Sequence, residues 1–271
     1  MISAPPEGGG PEGIRVPTSA PVPRVSAMTL STDACVTAIA HHSGGFADAV
    51  RGNLDAPVTH CPDWDVADLV WHLTEVHWFW RTIAAERLAA PPDEADRPQR
   101  PERGDLVAAF ERGAVDLVDV LRAADQDTPV WTWFPDRQDV GFITRHQVQE
   151  TAVHHWDAAD AAGAAWTVRP DAAADAVEEF LTCSLADADD VQRLGRSLSG
   201  PLVLTATDTG SSWTVSQADP GAALLWAPRA DGPPTVTGTA AGLMLWLYGR
   251  VDLPTDQPER VQEFRGLSST D

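Results

Sequence analysis

The hydrophobic period of this chain changes once, close to Gly200. Before that point apolar residues recur at three- and four-residue steps, the signature of amphipathic helices. After it they alternate with polar residues, as in half-buried strands. One layer of secondary structure cannot serve both patterns, so the chain should fold as a helical bundle followed by a small α+β unit. Its 271 residues, 43% of them apolar, suffice for one large core or two small ones.

The clearest helix starts after Pro62-Asp63. Asp65 is suited to cap it, Asp68 lies in its first turn, and Leu69, His72, Leu73, Val76, Phe79, Trp80 and Ile83 share one stripe as far as about Leu88. An earlier helix is expected over Ser31–Arg51, weakened at Gly44-Gly45. A proline-rich linker, Ala90–Gly104, leads to a third helix from Asp105. A tryptophan-rich loop then leads to a fourth, Thr144–Ala162, stopped by Gly163. A fifth should run from Asp171 to about Leu185. Strands are expected over Pro201–Thr207, Ser212–Ser216, Ala222–Ala227 and Thr235–Thr239, with a short helix over Ala240–Gly249. The expected divisions are a disordered Pro/Gly/Ser-rich leader (1–27), a helical domain (28–190), a small α+β domain (198–255) and a tail (256–271).

Composition excludes several function classes. Forty acidic against nineteen basic residues leave a net charge of −21, which disfavours nucleic acid and anionic membranes as partners. Three cysteines without a C-x-x-C pair make no disulfide framework, and no apolar run approaches the roughly 20 residues of a membrane span. A cytoplasmic location is expected. Oligomeric state is not readable from the pattern.

All eight histidines fall between His41 and His155, so metal or acid–base chemistry belongs to the helical part. His72 lies on the buried stripe. Glu150 and His154, four residues apart, sit about 40° apart on one helix face. The three together could hold one cation with an open position, as catalytic zinc sites do. By spacing alone an inward histidine is as readily a hydrogen-bonded core residue, and an i,i+4 Glu/His pair a solvated face.

The run from Thr59 to Leu73, with Cys61, Pro62, Trp64, Val66, Asp68, Leu69, His72 and Leu73, resembles the C-P-x-W-x-V-x-D-L-x-x-H-L motif of the mycothiol-dependent maleylpyruvate isomerase family. Glu150-Thr151-Ala152-Val153-His154-His155-Trp156-Asp157 is similar to that family's E-T-x-V-H-R-W-D motif, departing from it at His155. Val130–Pro135, Leu204–Gly210 and Leu245–Arg250 fit as well, and the likeness spans roughly Thr29 to Leu253. It implies a DinB-like four-helix bundle that binds a divalent metal, normally zinc, followed by a small sterol carrier protein-like domain. Its metal ligands carry over to His72, Glu150 and His154. A late catalytic arginine carries over to Arg250, which would otherwise be read as a partner of a helix C-terminus.

The resemblance implies a mycothiol-dependent isomerase or thiol S-transferase acting on a small electrophile. The alternative is a non-catalytic metal- and ligand-binding protein of the same fold. The remaining candidates are expected to do less. His155 should be exposed or stand behind the site, His146 should be an ordinary polar position, and His77 should lie off the face of His72. His60 should shape its loop. Trp64, Trp156 and Trp246 should pack in the core or between domains. Cys61 lacks the partners of a nucleophile, and Arg81 is a possible anion clamp that is more simply a solvated side chain.

Overall fold

A computed structural model describes residues 30–268. The expected leader, 1–27, lies outside them. Four long helices, α1 (Thr32–Val50), α2 (Val66–Glu86), α3 (Leu106–Ala123) and α4 (Val140–Ala162), form the bundle, α4 lying between α1 and α2 and α3 closing the ring opposite it. Their shared core is built around Ile39, Phe46, Leu69, Leu73, Phe110 and Leu117.

Local chemistry sets the helix ends. The Asp65 carboxylate accepts from the Asp68 N–H at 2.9 Å, while Asp65 N–H donates back to Asp68. This reciprocal cap fixes the start of α2 and hence the height of His72 along it. Helix α4 begins one turn earlier than its apolar pattern indicates, because Asp139 caps the Phe142 N–H at 2.8 Å. Helix α1 runs unbroken through Gly44-Gly45. The reason is packing: a Cβ on Gly45 would overlap the His155 imidazole, so the missing side chain is the space that His155 fills. His155 is therefore buried against α1 rather than exposed.

Past α4, α5 (Pro170–Cys183) and α6 (Ala188–Leu194) precede a four-stranded sheet of β1 (Leu202–Ala206), β2 (Ser212–Gln217), β3 (Leu224–Ala227) and β4 (Val236–Gly238). The strand order is β3-β2-β1-β4. Strand β1 is antiparallel to β2 and parallel to β4, with Leu204 opposite Trp213 and Val236 respectively. Helix α7 (Ala240–Leu247) packs on α5. Two elements have no counterpart in the pattern reading. Helix α6 has Val191 as its one buried residue, and α8 (Pro258–Arg265), in the expected tail, has Phe264. One fully buried side chain per helix leaves no period to read. Phe264 stacks on Trp246, and the Arg265 guanidinium lies 4.3 Å from the centre of the same ring.

These elements make a second core, and α5 gives it Ala173, Ala176, Val177, Phe180 and Leu181 although it falls within the span expected for the helical domain. The two cores are tied by a buried ion pair from Arg145 on α4 to Asp175 on α5, with Nε to Oδ2 at 2.8 Å. Among the described residues no helix is long and apolar enough to cross a membrane.

The α1–α4 seam holds a histidine pair, His42 Nδ1 and His155 Nδ1 at 3.1 Å. Burial, reinforced by His155 and His41, pushes His42 down to about 3. An unfolded histidine titrates near 6.5, so on acidification the unfolded chain takes up this proton first. The stability His42 contributes is whole above pH 6.5 and declines as pH falls toward 3. A His42→Gln variant should therefore lose thermal midpoint more slowly between pH 7 and pH 5 than the wild type. Equal slopes in the two melting series would show that His42 already protonates in the folded protein.

Candidate metal centre

Helices α2 and α4 lie side by side, and the first turns of one face the later turns of the other. His72 on α2 and Glu150 and His154 on α4 meet there, each offering one donor atom, with all three atoms within 4.8 Å of one another. Glu150 Oε1 is 3.5 Å from His72 Nε2 and 3.4 Å from His154 Nε2. Metal–ligand bonds of about 2.0–2.1 Å at tetrahedral angles put neighbouring donors about 3.3–3.4 Å apart. The spacing is therefore that of ligands around one small cation. The stripe on α2 and the one-turn step on α4 thus bring together the residues that spacing singled out.

The second nitrogen of His154 is also committed. His154 Nδ1 donates to Asp157 Oδ2 at 3.0 Å, which leaves the lone pair of the neutral ring on Nε2, toward Glu150. Burial opposes charge on this ring, but the hydrogen bonds to Asp157 and Glu150 outweigh it and lift its pKa to about 9. Glu150 is held well below the usual carboxylate range. Burial raises it, and the two imidazoles more than reverse that. Asp157, buried completely, is likewise held low by His154 and Arg250.

Arg250 follows α7 and reaches the site through Asp157. Its Nε lies 3.0 Å from Oδ1 and its Nη2 2.8 Å from Oδ2, a two-pronged pair, and Nη1 donates to the Tyr248 carbonyl at 2.7 Å. Arg250 does not end the last helix, since Gly249 and then α8 follow α7. It pairs with a carboxylate of the bundle in addition to the Tyr248 carbonyl at the C-terminal end of α7. Asp157 is the site residue that spacing reasoning passed over, although it stood in the quoted motif. A carboxylate three residues after a metal-type histidine was the available signal.

The other candidates separate. Cys61 lies 3.8 Å from Arg250 Nη2, but burial and the Asp157 charge push its thiol up to about 11, so it stays protonated. Trp64 packs against His72 and His60 against Trp156, with ring centroids 5.0 and 5.4 Å apart. His77 is in the core beside Phe110, held neutral by burial at about 3. Trp246 belongs to the second core. Arg81 lines a surface depression with Trp78, Glu86 and Asp93, apart from the triad. His146 turns to Glu179 on α5.

Residues 36–159 match the family model of the mycothiol maleylpyruvate isomerase N-terminal domain. The helical region of this chain is similar to that domain. The matched span contains the three converging donors and Asp157. The family domain here lacks Arg250, which comes from the sheet-bearing region beyond it. Two solved structures extend the likeness, each covering 84% of this chain and 94% of its own at 13% identity. One is a mycothiol-dependent maleylpyruvate isomerase, with a TM-score of 0.59. The other is a histidine-to-alanine mutant of such an isomerase, with a TM-score of 0.55. They share the fold of both parts. No curated protein matches the chain significantly.

Removing Arg250 would leave Asp157 buried with His154 as its remaining partner. Arg250→Ala should therefore destabilise the protein measurably in urea, by less than the about 3–5 kcal/mol of a fully broken buried pair. Adding Asp157→Asn, which removes the stranded charge, should recover part of the loss. Strictly additive losses would show that the two side chains do not depend on each other.

Proposed function

We propose that this chain is a mycothiol-dependent metalloenzyme, an isomerase or thiol S-transferase acting on a small electrophile, with His72, Glu150 and His154 holding a divalent cation, zinc by preference. The observation that carries this reading is the convergence of two imidazole Nε2 atoms on one carboxylate oxygen at 3.4–3.5 Å, inside the span that matches the isomerase family. Two imidazoles and a carboxylate with an open position are a donor set of catalytic zinc sites. A cation bound there supplies the Lewis acidity that turns the thiol cofactor into a thiolate nucleophile near neutral pH.

The rest of the work falls to the chain. Asp157 holds the His154 ring in the orientation and tautomer a ligand needs, and such outer partners typically contribute about 10–100-fold to metal affinity. Arg250 fixes Asp157 and keeps one guanidinium edge beside Cys61. From there its charge is placed to meet an acidic or polar end of the second substrate, as an anchored guanidinium suits. A cytoplasmic location forms part of the same reading.

The purified protein should contain one equivalent of zinc, and His72→Ala should lose it. Asp157→Asn should bind zinc about 10–100-fold more weakly. The wild type should accelerate the consumption of mycothiol by a small electrophile. Arg250→Ala should lower that turnover at least about tenfold, equivalent to about 1.4 kcal/mol. Full zinc in His72→Ala, measured by elemental analysis, would sink the assignment. Zinc without thiol turnover would favour a binding protein of the same fold.

A further inference from the structure

Helix α2 carries a second feature on its far side. Arg81 stands nine residues beyond His72, so at about 100° per residue it projects from the opposite face of the helix. There it lines a cleft of about 550 Å³ between α2 and the segment that follows it. That volume lies within the range of small-molecule sites.

The wall facing α2 is built rather than loose. The Leu88 carbonyl accepts from the Trp131 N–H at 2.6 Å. Pro91 and Pro92 stiffen the stretch beyond it. The Asp93 carboxylate then caps the Ala95 N–H at 2.9 Å, opening a short 3-10 turn, Glu94–Asp96. Arg97 closes the segment by pairing with Glu75 on α2 and, at 2.9 Å, with Glu94.

Arg81 shares the cleft with the carboxylates of Glu86, Asp93 and Asp96. Among the described residues no ion pair joins it to any of them. Its one hydrogen bond runs from Nη2 to the Thr82 hydroxyl, at 3.5 Å, and Thr82 is 8% exposed. A guanidinium has five N–H donors, so most of those of Arg81 remain for another acceptor. Opposite charges that line one cleft without meeting are held apart by its walls. A molecule carrying both charges can reach each of them. Trp78 and Leu88 add apolar surface to the same cleft.

We propose that this cleft binds a small zwitterion with an apolar side group, a free amino acid or a short peptide. Its carboxylate meets Arg81 and Thr82, and its ammonium group meets the acidic residues. A guanidinium takes a carboxylate through two parallel hydrogen bonds, which fixes orientation as well as charge, and the Trp78 indole receives the side group. Selectivity follows from the charge arrangement. A simple anion is repelled by three carboxylates, and a simple cation leaves Arg81 without a partner. The site lies across α2 from the triad, so it does not depend on metal or thiol chemistry.

The test titrates the full chain by calorimetry, with saturation-transfer NMR for weak binding, using four probes. L-phenylalanine and glycyl-L-phenylalanine are zwitterions, 3-phenylpropionate lacks the amine, and 2-phenylethylamine lacks the carboxylate. One of the two zwitterions should bind at least about tenfold more tightly than either singly charged analogue. Preference for phenylalanine supports the proposal in its amino-acid form, and preference for the dipeptide supports it in its peptide form. Arg81→Gln should weaken the zwitterion about tenfold with the melting temperature unchanged. Glu86→Gln combined with Asp96→Asn should weaken the zwitterion yet strengthen 3-phenylpropionate, a pair of opposite shifts that a loss of folding cannot produce.

Three results would overturn the proposal. They are no saturation transfer to either zwitterion at millimolar concentration, binding of 2-phenylethylamine as tight as that of the zwitterions, and an Arg81→Gln protein that binds as the wild type does.

Discussion

One buried carboxylate, Asp157, joins the two halves of this molecule. On one side it accepts from His154 within the bundle. On the other it takes both prongs of Arg250 from the sheet-bearing region. An ionised group so deeply enclosed is tolerated only when its lone pairs are filled, and here each half supplies a donor. The electrostatic requirement of Asp157 is therefore also a docking requirement. If the second core shifted from the bundle, it would strand a charge and release the ring that the metal-type triad depends on.

The triad in turn depends on the neighbouring placement of α2 and α4. Neither helix carries a complete site. The Asp65–Asp68 cap sets where α2 begins, the Asp139 cap sets where α4 begins, and four-residue steps then bring His72 level with Glu150 and His154. Burial opposes charge on both Glu150 and His154, and their hydrogen bonding offsets that cost. The arrangement suits a ligand cage, in which a bound cation would offset the cost of enclosing these polar side chains.

Much of this could be read in advance, and the gaps have physical causes. The α2 stripe, the Glu150/His154 step and the change of period near Gly200 are local patterns, and they correspond to α2, the α4 half of the triad and the start of the sheet region. The roles of Asp157, His146 and Arg250 are not local. Asp157 and Arg250 are 93 residues apart and His146 and Glu179 33 apart, so their meaning appears only once α4 is seen against α5 and the segment after α7. Helices α6 and α8 escaped because one buried side chain each gives no repeat to detect. His155 was misplaced because a step of one residue on a helix suggests exposure only when no neighbour covers that face, and on α4 nearly every face is covered.

The vacancy at Gly45 gives that last point a longer reach. The imidazole of His155 occupies the volume a side chain at position 45 would need, while its Nδ1 meets His42 one turn earlier on α1. Three positions thus form a single three-dimensional word, in which a larger residue at 45 demands a smaller one at 155, and either change unsettles 42. Among natural variants of this chain the three positions should drift together rather than singly. A record of their joint substitution would trace the spacing of α1 from α4 more faithfully than overall sequence similarity does.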